Sequence, residues 1–200
     1  GQAVDLCTGS GIIPLLLSAR TEARRIEGVE IQPQVADMAR RSVALNGLEG
    51  LISIHTLDLK EAPARLGRDF ADSVTCNPPY GRAGASLHSL SEAKRIARHE
   101  VRCTLEDCIA AAAALLKHGG RAAFIHQSTR AVDLIALLRQ YKLEPKRIRA
   151  VQPDRDRPPN LVLVEGVKGG GPGCAWLPSL IVRGEDGEYT SEMRRIYHMD

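Results

Sequence analysis

No run of about 18 apolar residues occurs in this 200-residue chain, so nothing in it reads as a membrane-spanning helix. The opening residues Gly1-Gln2-Ala3-Val4-Asp5 lack the basic start, apolar core and small-residue cleavage site of a signal peptide, and none is expected. The net charge is only +3, which neither requires nor forbids a polyanionic partner; the clustering of basic residues matters more. No C-x-x-C pair exists among Cys7, Cys76, Cys103, Cys108 and Cys174. Their number is odd, and Cys103 and Cys108 are five apart, a poor fit to one helix face. All five are expected to be reduced thiols of a cytoplasmic protein, with no metal site. No internal repeat is visible, and the only low-complexity stretch, residues 169–173, reads as a flexible turn.

What remains is an ordinary globular composition, 44% hydrophobic and 26% charged, on a length that suits one domain over residues 1–200. A short apolar run at 3–6 and the segments 25–31, 51–55, 72–76 and 121–126 read as strands, and helical spacings read between them. Residues 12–20 form one helix, with Pro14 in its first turn. Pro33 opens a second helix, which Asn46-Gly47 ends. Thr104 with Asp107 approximates a capping box opening a third. Its apolar face is Val101, Leu105, Ile109, Ala112 and Leu116, and Gly119-Gly120 stop it. A fourth helix spans 131–141. Residues 81–103 are polar and read as a loop followed by a basic helical turn. Strands at 148–151 and 160–167 are joined by too few residues for a helix, so they should be antiparallel. Alternation of strand and helix implies an α/β fold with a mostly parallel sheet.

Between the first strand and first helix lies Asp5-Leu6-Cys7-Thr8-Gly9-Ser10-Gly11. Glycines there let the backbone turn sharply and approach a ligand closely. A dinucleotide-binding turn would usually show a third glycine where this chain has Pro14, which suits a cofactor without a pyrophosphate. Alone, such a turn is as well explained by tight chain reversal. Its context adds weight. Glu30, 19 residues after Gly11, ends the second strand, where a carboxylate can accept from both hydroxyls of a ribose. Asp58 follows the third strand, where it could accept from an adenine amino group. Asp5 could hold an ammonium group or orient the turn. The plainer alternatives are a strand-end surface charge for Glu30 and a loop aspartate for Asp58.

Asn77-Pro78-Pro79-Tyr80 follows the fourth strand. Two prolines stiffen it by fixing their own φ and restricting the residues before them. The Asn77 side-chain oxygen and the Pro78 carbonyl can then accept the two hydrogens of one planar NH2 group, while Tyr80 offers a face for the attached ring.

With these motifs in view, Asp5-Leu-Cys-Thr-Gly-Ser-Gly, Gly28-Val-Glu-Ile and Asn77-Pro-Pro-Tyr resemble the class I S-adenosylmethionine-dependent amino methyltransferases. Ile12-Ile-Pro-Leu-Leu-Leu-Ser, Ala97-Arg-His-Glu, Cys103-Thr-Leu-Glu-Asp and Asn160-Leu-Val-Leu-Val-Glu are closer still to the bacterial tRNA1(Val) adenine-37 N6-methyltransferases. The resemblance implies a Rossmann-like seven-stranded sheet, mostly parallel with an antiparallel terminal strand and helices on both faces. It implies S-adenosyl-L-methionine as donor, held by Asp5, Gly9, Gly11, Glu30, Asp58 and Asn77. The implied acceptor is an anticodon-loop adenine, with Asn77, Pro78 and Tyr80 at the reacting nitrogen. Members of that family carry a segment before the first strand, so an N-terminal segment is expected to be missing here.

Transfer to the amino nitrogen needs no strong base, because its proton becomes acidic as the methyl arrives; His88 and His99 are given no role. An adenine in a single-stranded loop leaves its stack more cheaply than one in a duplex. Lys94, Arg95, Arg98 and Arg102 could hold RNA phosphates nearby, or simply form a solvated face. A second basic group, Lys142, Lys146, Arg147 and Arg149, reads better as solvated surface. Two other readings stay open: a protein glutamine N5-methyltransferase, since a carboxamide presents a similar NH2, and a non-catalytic RNA-binding subunit. DNA is disfavoured for want of a target-recognition domain. A monomer is assumed, with tRNA as partner and no membrane or metal.

Overall fold

A computed structural model describes residues 1–79 and 103–199. Five strands are parallel: β1 (Gln2–Leu6), β2 (Arg25–Glu30), β3 (Ile52–Thr56), β4 (Ala71–Cys76) and β5 (Leu116–Gln127). They are followed by β6 (Leu143–Gln152), β7 (Leu161–Lys168) and β8 (Ala175–Ile181), and the sheet order is β3-β2-β1-β4-β5-β7-β6-β8. β7 runs against both neighbours, and β8 runs parallel to β6. The expected antiparallel pairing therefore holds, but the reversed strand lies inside the sheet.

The sheet has eight strands rather than seven. Pro178 obscures β8, because a proline inside an apolar run argues against a strand except at an edge. Here β8 is the edge: its register against β6 slips between Arg149 and Val151, and the Pro178 carbonyl accepts from Arg149 Nε at 2.9 Å.

Helices α1 (Ile12–Arg20) and α2 (Pro33–Leu45) cover one sheet face, where Val43, Leu15 and Leu17 meet Ala3, Ile26 and Ile52. A short helix, α3 (Ala62–Leu66), joins the other face. There α4 (Leu105–Leu115) and α5 (Ala131–Gln140) bury Ile109, Leu115, Leu134 and Leu138 against Val4, Leu6, Val74 and Phe124. Covered on both faces, β1 and β2 are buried at every position after their first, and the carboxylates this encloses, Asp5, Glu27 and Glu30, are each hydrogen-bonded. A last helix, α6 (Ser191–Tyr197), seats Met193 on Leu180 and Val151.

The capping box opening α4 is present: Thr104 Oγ1 accepts from the Asp107 N–H, and the Asp107 carboxylate accepts from the Thr104 N–H. The helix does not reach Gly119-Gly120. It ends at Leu115, and Leu116, expected on its apolar face, starts β5. Both roles bury a leucine, so helical spacing alone could not separate them. Val101 lies outside the described residues. Among the described residues, no helix is long and apolar enough to cross a membrane.

Candidate active site

Parallel strands deliver their carboxyl ends to one edge of the sheet, where α/β folds place ligands. The register aligns four of these ends. Leu6 of β1 lies opposite Val29 of β2 and Cys76 of β4, and Glu30 of β2 lies opposite Thr56 of β3. Along this edge stand, in order, Asp58, Glu30, the glycine turn and Asn77-Pro78.

The turn reverses the chain through three left-handed residues, Cys7 (φ 58°), Gly9 (φ 56°) and Gly11 (φ 86°). A Cβ on Gly11 would come within 3.1 Å of Ala39 Cβ, so glycine there lets α1 start against α2. A Cβ on Gly9 would meet nothing within 4 Å. Its φ favours glycine, and the space above it is open on the side a ligand would occupy.

Two carboxylates fix the turn. Glu30 is 6% exposed; its Oε2 accepts from the Gly9 N–H at 3.0 Å and its Oε1 from the Gln32 N–H at 2.9 Å. Asp5 is fully buried and accepts from Thr8 Oγ1 and Thr75 Oγ1, each at 2.6 Å. Burial pushes the Asp5 carboxyl up to about 7, while the hydrogen bonds from Thr75 and Thr8 hold it down. This geometry favours the turn-orienting reading of Asp5 over contact with a ligand ammonium. The two threonine partners were invisible to the sequence reading, because neither belongs to the motif's glycine or acidic positions.

Asp58 caps the 3-10 turn Leu59–Glu61: it accepts from the Lys60 N–H at 3.0 Å and pairs with Lys60 Nζ at 3.3 Å. Beyond β4, Asn77 is exposed and Pro78 buried. Tyr80, Lys94, Arg95, Arg98 and Arg102 lie outside the described residues. A separate hollow of 360 Å³ opens on the sheet face over β5, β7 and β6, beside Ile13, Thr75, Ile125 and Leu163. Among the described residues, no predicted site residue lines it.

The structure also assembles what the sequence reading kept apart. The sulfurs of Cys7, Cys76 and Cys108 lie within 4.8 Å of one another, and Cys103 Sγ is 3.1 Å from Cys108 Sγ. All are free thiols. Cys7 is pulled well below the usual thiol range because Cys103, Cys108 and Cys76 can each direct an S–H at its sulfur; burial pushes Cys76 up.

Comparison with known proteins agrees with this architecture. The family model described as Methyltransferase small domain matches residues 1–142. A protein of Porphyromonas gingivalis named tRNA1(Val) (adenine(37)-N6)-methyltransferase is 32% identical over 166 residues, 82% of this chain and 64% of that protein. One of the same name from Aeromonas salmonicida is 26% identical over 198 residues, 98% of this chain and 80% of that protein. The matched part of the chain thus spans 64%, less than two thirds, of the first relative's length and 80% of the second's. A crystal structure titled as a predicted O-methyltransferase from Agrobacterium tumefaciens shares the fold. Its TM-score is 0.77 and its identity 21%, covering 98% of this chain and 88% of that one.

Proposed function

Since this chain belongs to the methyltransferase small domain family, we propose that it transfers a methyl group from S-adenosyl-L-methionine to the exocyclic N6 of an adenine in tRNA, in the anticodon loop. The observation that carries the reading is the alignment of four strand ends, which puts Asp58, Glu30 and the glycine turn beside Asn77-Pro78. The relatives' shared name supports the nucleic-acid acceptor.

The residues present fit the donor. Gly9 faces open space next to Glu30. Glu30 Oε2 takes one backbone N–H and keeps a second acceptor site, while Oε1 takes the Gln32 N–H and, at 3.5 Å, the Gln32 Nε2 amide; two ribose hydroxyls can be accepted without dissolving the turn if the second displaces that long side-chain contact. Asp58 is 24% exposed at its side chain and retains acceptor capacity for an adenine amino group. When bound, S-adenosyl-L-methionine supplies an electrophilic methyl carried on a positively charged sulfur.

Asn77 and Pro78 work on the acceptor. The adenine nitrogen is a weak nucleophile because its lone pair is delocalised into the ring. Accepting both its hydrogens draws electron density onto nitrogen and favours a pyramidal shape with the lone pair aimed at the incoming methyl. Tyr80 stacks on the base. Asp5 keeps the turn and β4 in register through Thr8 and Thr75, so the catalytic groups are preorganised rather than recruited.

The test is incubation of the chain with labelled donor and unmodified tRNA, total protein or DNA. Label recovered as N6-methyladenosine in tRNA is the expected outcome; label recovered only on glutamine in protein overturns the acceptor assignment.

A further inference from the structure

We propose that Cys7, Cys76, Cys103 and Cys108 form a closed four-thiolate site for zinc, tying the glycine turn to the Asn77-Pro78 segment. Three separate parts of the chain contribute: Cys7 from the turn after β1, Cys76 from the last position of β4, and Cys103 with Cys108 from the start of α4. Pairing of Leu6 with Cys76 brings the first two together. The capping box at Thr104 brings the other two, because Cys103 precedes the N-cap and Cys108 is the fourth helical residue. That pair of positions meets across a helix start even though its spacing fits no single helix face.

The geometry suits a tetrahedral cation. Zinc binds thiolate sulfur at about 2.3 Å, which sets sulfur–sulfur edges of about 3.8 Å. The Cys7, Cys76 and Cys108 sulfurs all lie within 4.8 Å of one another and Cys103 Sγ is 3.1 Å from Cys108 Sγ, so the longest of these separations is at most about an ångström above that edge and the Cys103–Cys108 contact somewhat below it, and shifts of about an ångström complete the shell. Four sulfurs and no carboxylate or imidazole make a soft donor set, which excludes magnesium and calcium and selects zinc among common divalent ions. Four protein ligands leave no open position, the pattern of a structural centre rather than a hydrolytic one. Simple core packing accounts less well for the cluster. Cys76 and Cys108 are buried, but Cys7 and Cys103 are only partly so, and their sulfurs still converge on the same point.

Cys76 is bonded directly to Asn77, and Cys7 lies inside the turn that carries Gly9 and Gly11. A cation between them would hold donor turn and acceptor segment at a fixed separation and would anchor the chain where it re-enters α4. Ligand binding that depends on a folded arrangement also stabilises that arrangement.

The test uses the purified chain, and its readouts are metal content and spectrum, which stand whatever the acceptor of methyl transfer proves to be. Purification without chelators should leave about one zinc per chain. Adding Co2+ to the reduced, zinc-free protein should give intense thiolate-to-cobalt charge-transfer absorption and the visible bands of a tetrahedral centre, saturating at one equivalent. Cys76→Ser and Cys108→Ser remove buried groups and are liable to unfold the chain, so the informative pair is Cys103→Ser and Cys174→Ser. The first should weaken Co2+ binding more than about tenfold, since loss of even an outer-shell partner typically costs 10–100-fold. The second, outside the cluster, should leave binding unchanged. A zinc-free protein without cobalt bands, a Cys103–Cys108 disulfide in the freshly isolated chain, or iron with acid-labile sulfide would each overturn the proposal.

Discussion

Glu30 Oε2 accepts a hydrogen bond from the Gly9 N–H at 3.0 Å, so the carboxylate proposed to hold the donor's ribose also holds the turn beneath it. Glu30→Ala should therefore weaken donor binding by about 1–3 kcal/mol, the range for losing hydrogen bonds to a ligand or a charged group. Calorimetric titration with S-adenosyl-L-methionine measures this. Parental affinity in the variant removes Glu30 from the site.

Gly9→Ala separates conformational strain from ligand exclusion. Nothing in the protein lies within 4 Å of the added methyl, so the folded state should lose only the left-handed penalty, about 1–2 kcal/mol. Donor affinity should fall further, because the methyl enters the open space assigned to the ligand. Thermal unfolding and titration of one preparation give both numbers; a stability loss without an affinity loss puts the donor elsewhere.

Asn77→Ala should slow transfer by the equivalent of ~2–4 kcal/mol, as for one preorganised polar group, with a smaller effect on donor binding. Tyr80→Ala should cost about 1–3 kcal/mol from lost stacking, and Tyr80→Phe much less, since the ring face is what stacks. Single-turnover transfer to unmodified tRNA, followed by nucleoside analysis, checks both. Transfer at the parental rate by Asn77→Ala would show that the acceptor binds another group.

Asp5 makes stability pH-dependent. Its carboxyl, raised from 3.8 to about 7, keeps in the native state a proton that the unfolded chain releases at lower pH. Asp5 therefore contributes a loss of stability as pH rises between those values, bounded by about 4 kcal/mol, and no further change above. Asp5→Asn should remove that component. Denaturant unfolding at pH 4 and pH 7 reads it as a smaller fall, or a larger rise, in the variant than in the parent; equal differences would show the group to be ionised throughout.

The basic residues 94–102 admit a salt test. If Lys94, Arg95, Arg98 and Arg102 contact tRNA phosphates, replacing all four by Ala should flatten the dependence of log affinity on log salt by about one unit per lost contact. An unchanged slope assigns them to solvated surface.

Much of this site was legible because its chemistry sits at strand ends, and strand ends follow from apolar runs. Glu30, Asp58 and Asn77 could be ordered before any coordinates, since parallel strands carry their carboxyl ends to one edge. What stayed hidden depended on contacts between distant residues. Thr75 reaches Asp5 only through the pairing of β4 with β1. The four cysteines failed every spacing rule because three elements deliver them. Even Cys103 and Cys108 were separated by a one-face criterion, although the capping box that joins them was itself recognisable. At the other end, β8 escaped because it is an edge strand with four exposed residues and a proline, and so carries little apolar signal.

The interior position of β7 governs how the sheet can be completed. β6 is made first but has no partner among the preceding strands; its neighbours are β7 and β8. β5 likewise waits with one edge open until β7 arrives. β6 can therefore join the sheet only together with β7 or after it. Until about residue 168 has emerged, the nascent chain presents the unpaired edge of β5, the kind of surface that invites pairing with another copy. Any truncation between β5 and β7 should leave that surface permanently exposed and the fragment prone to aggregate, with the whole donor edge already built.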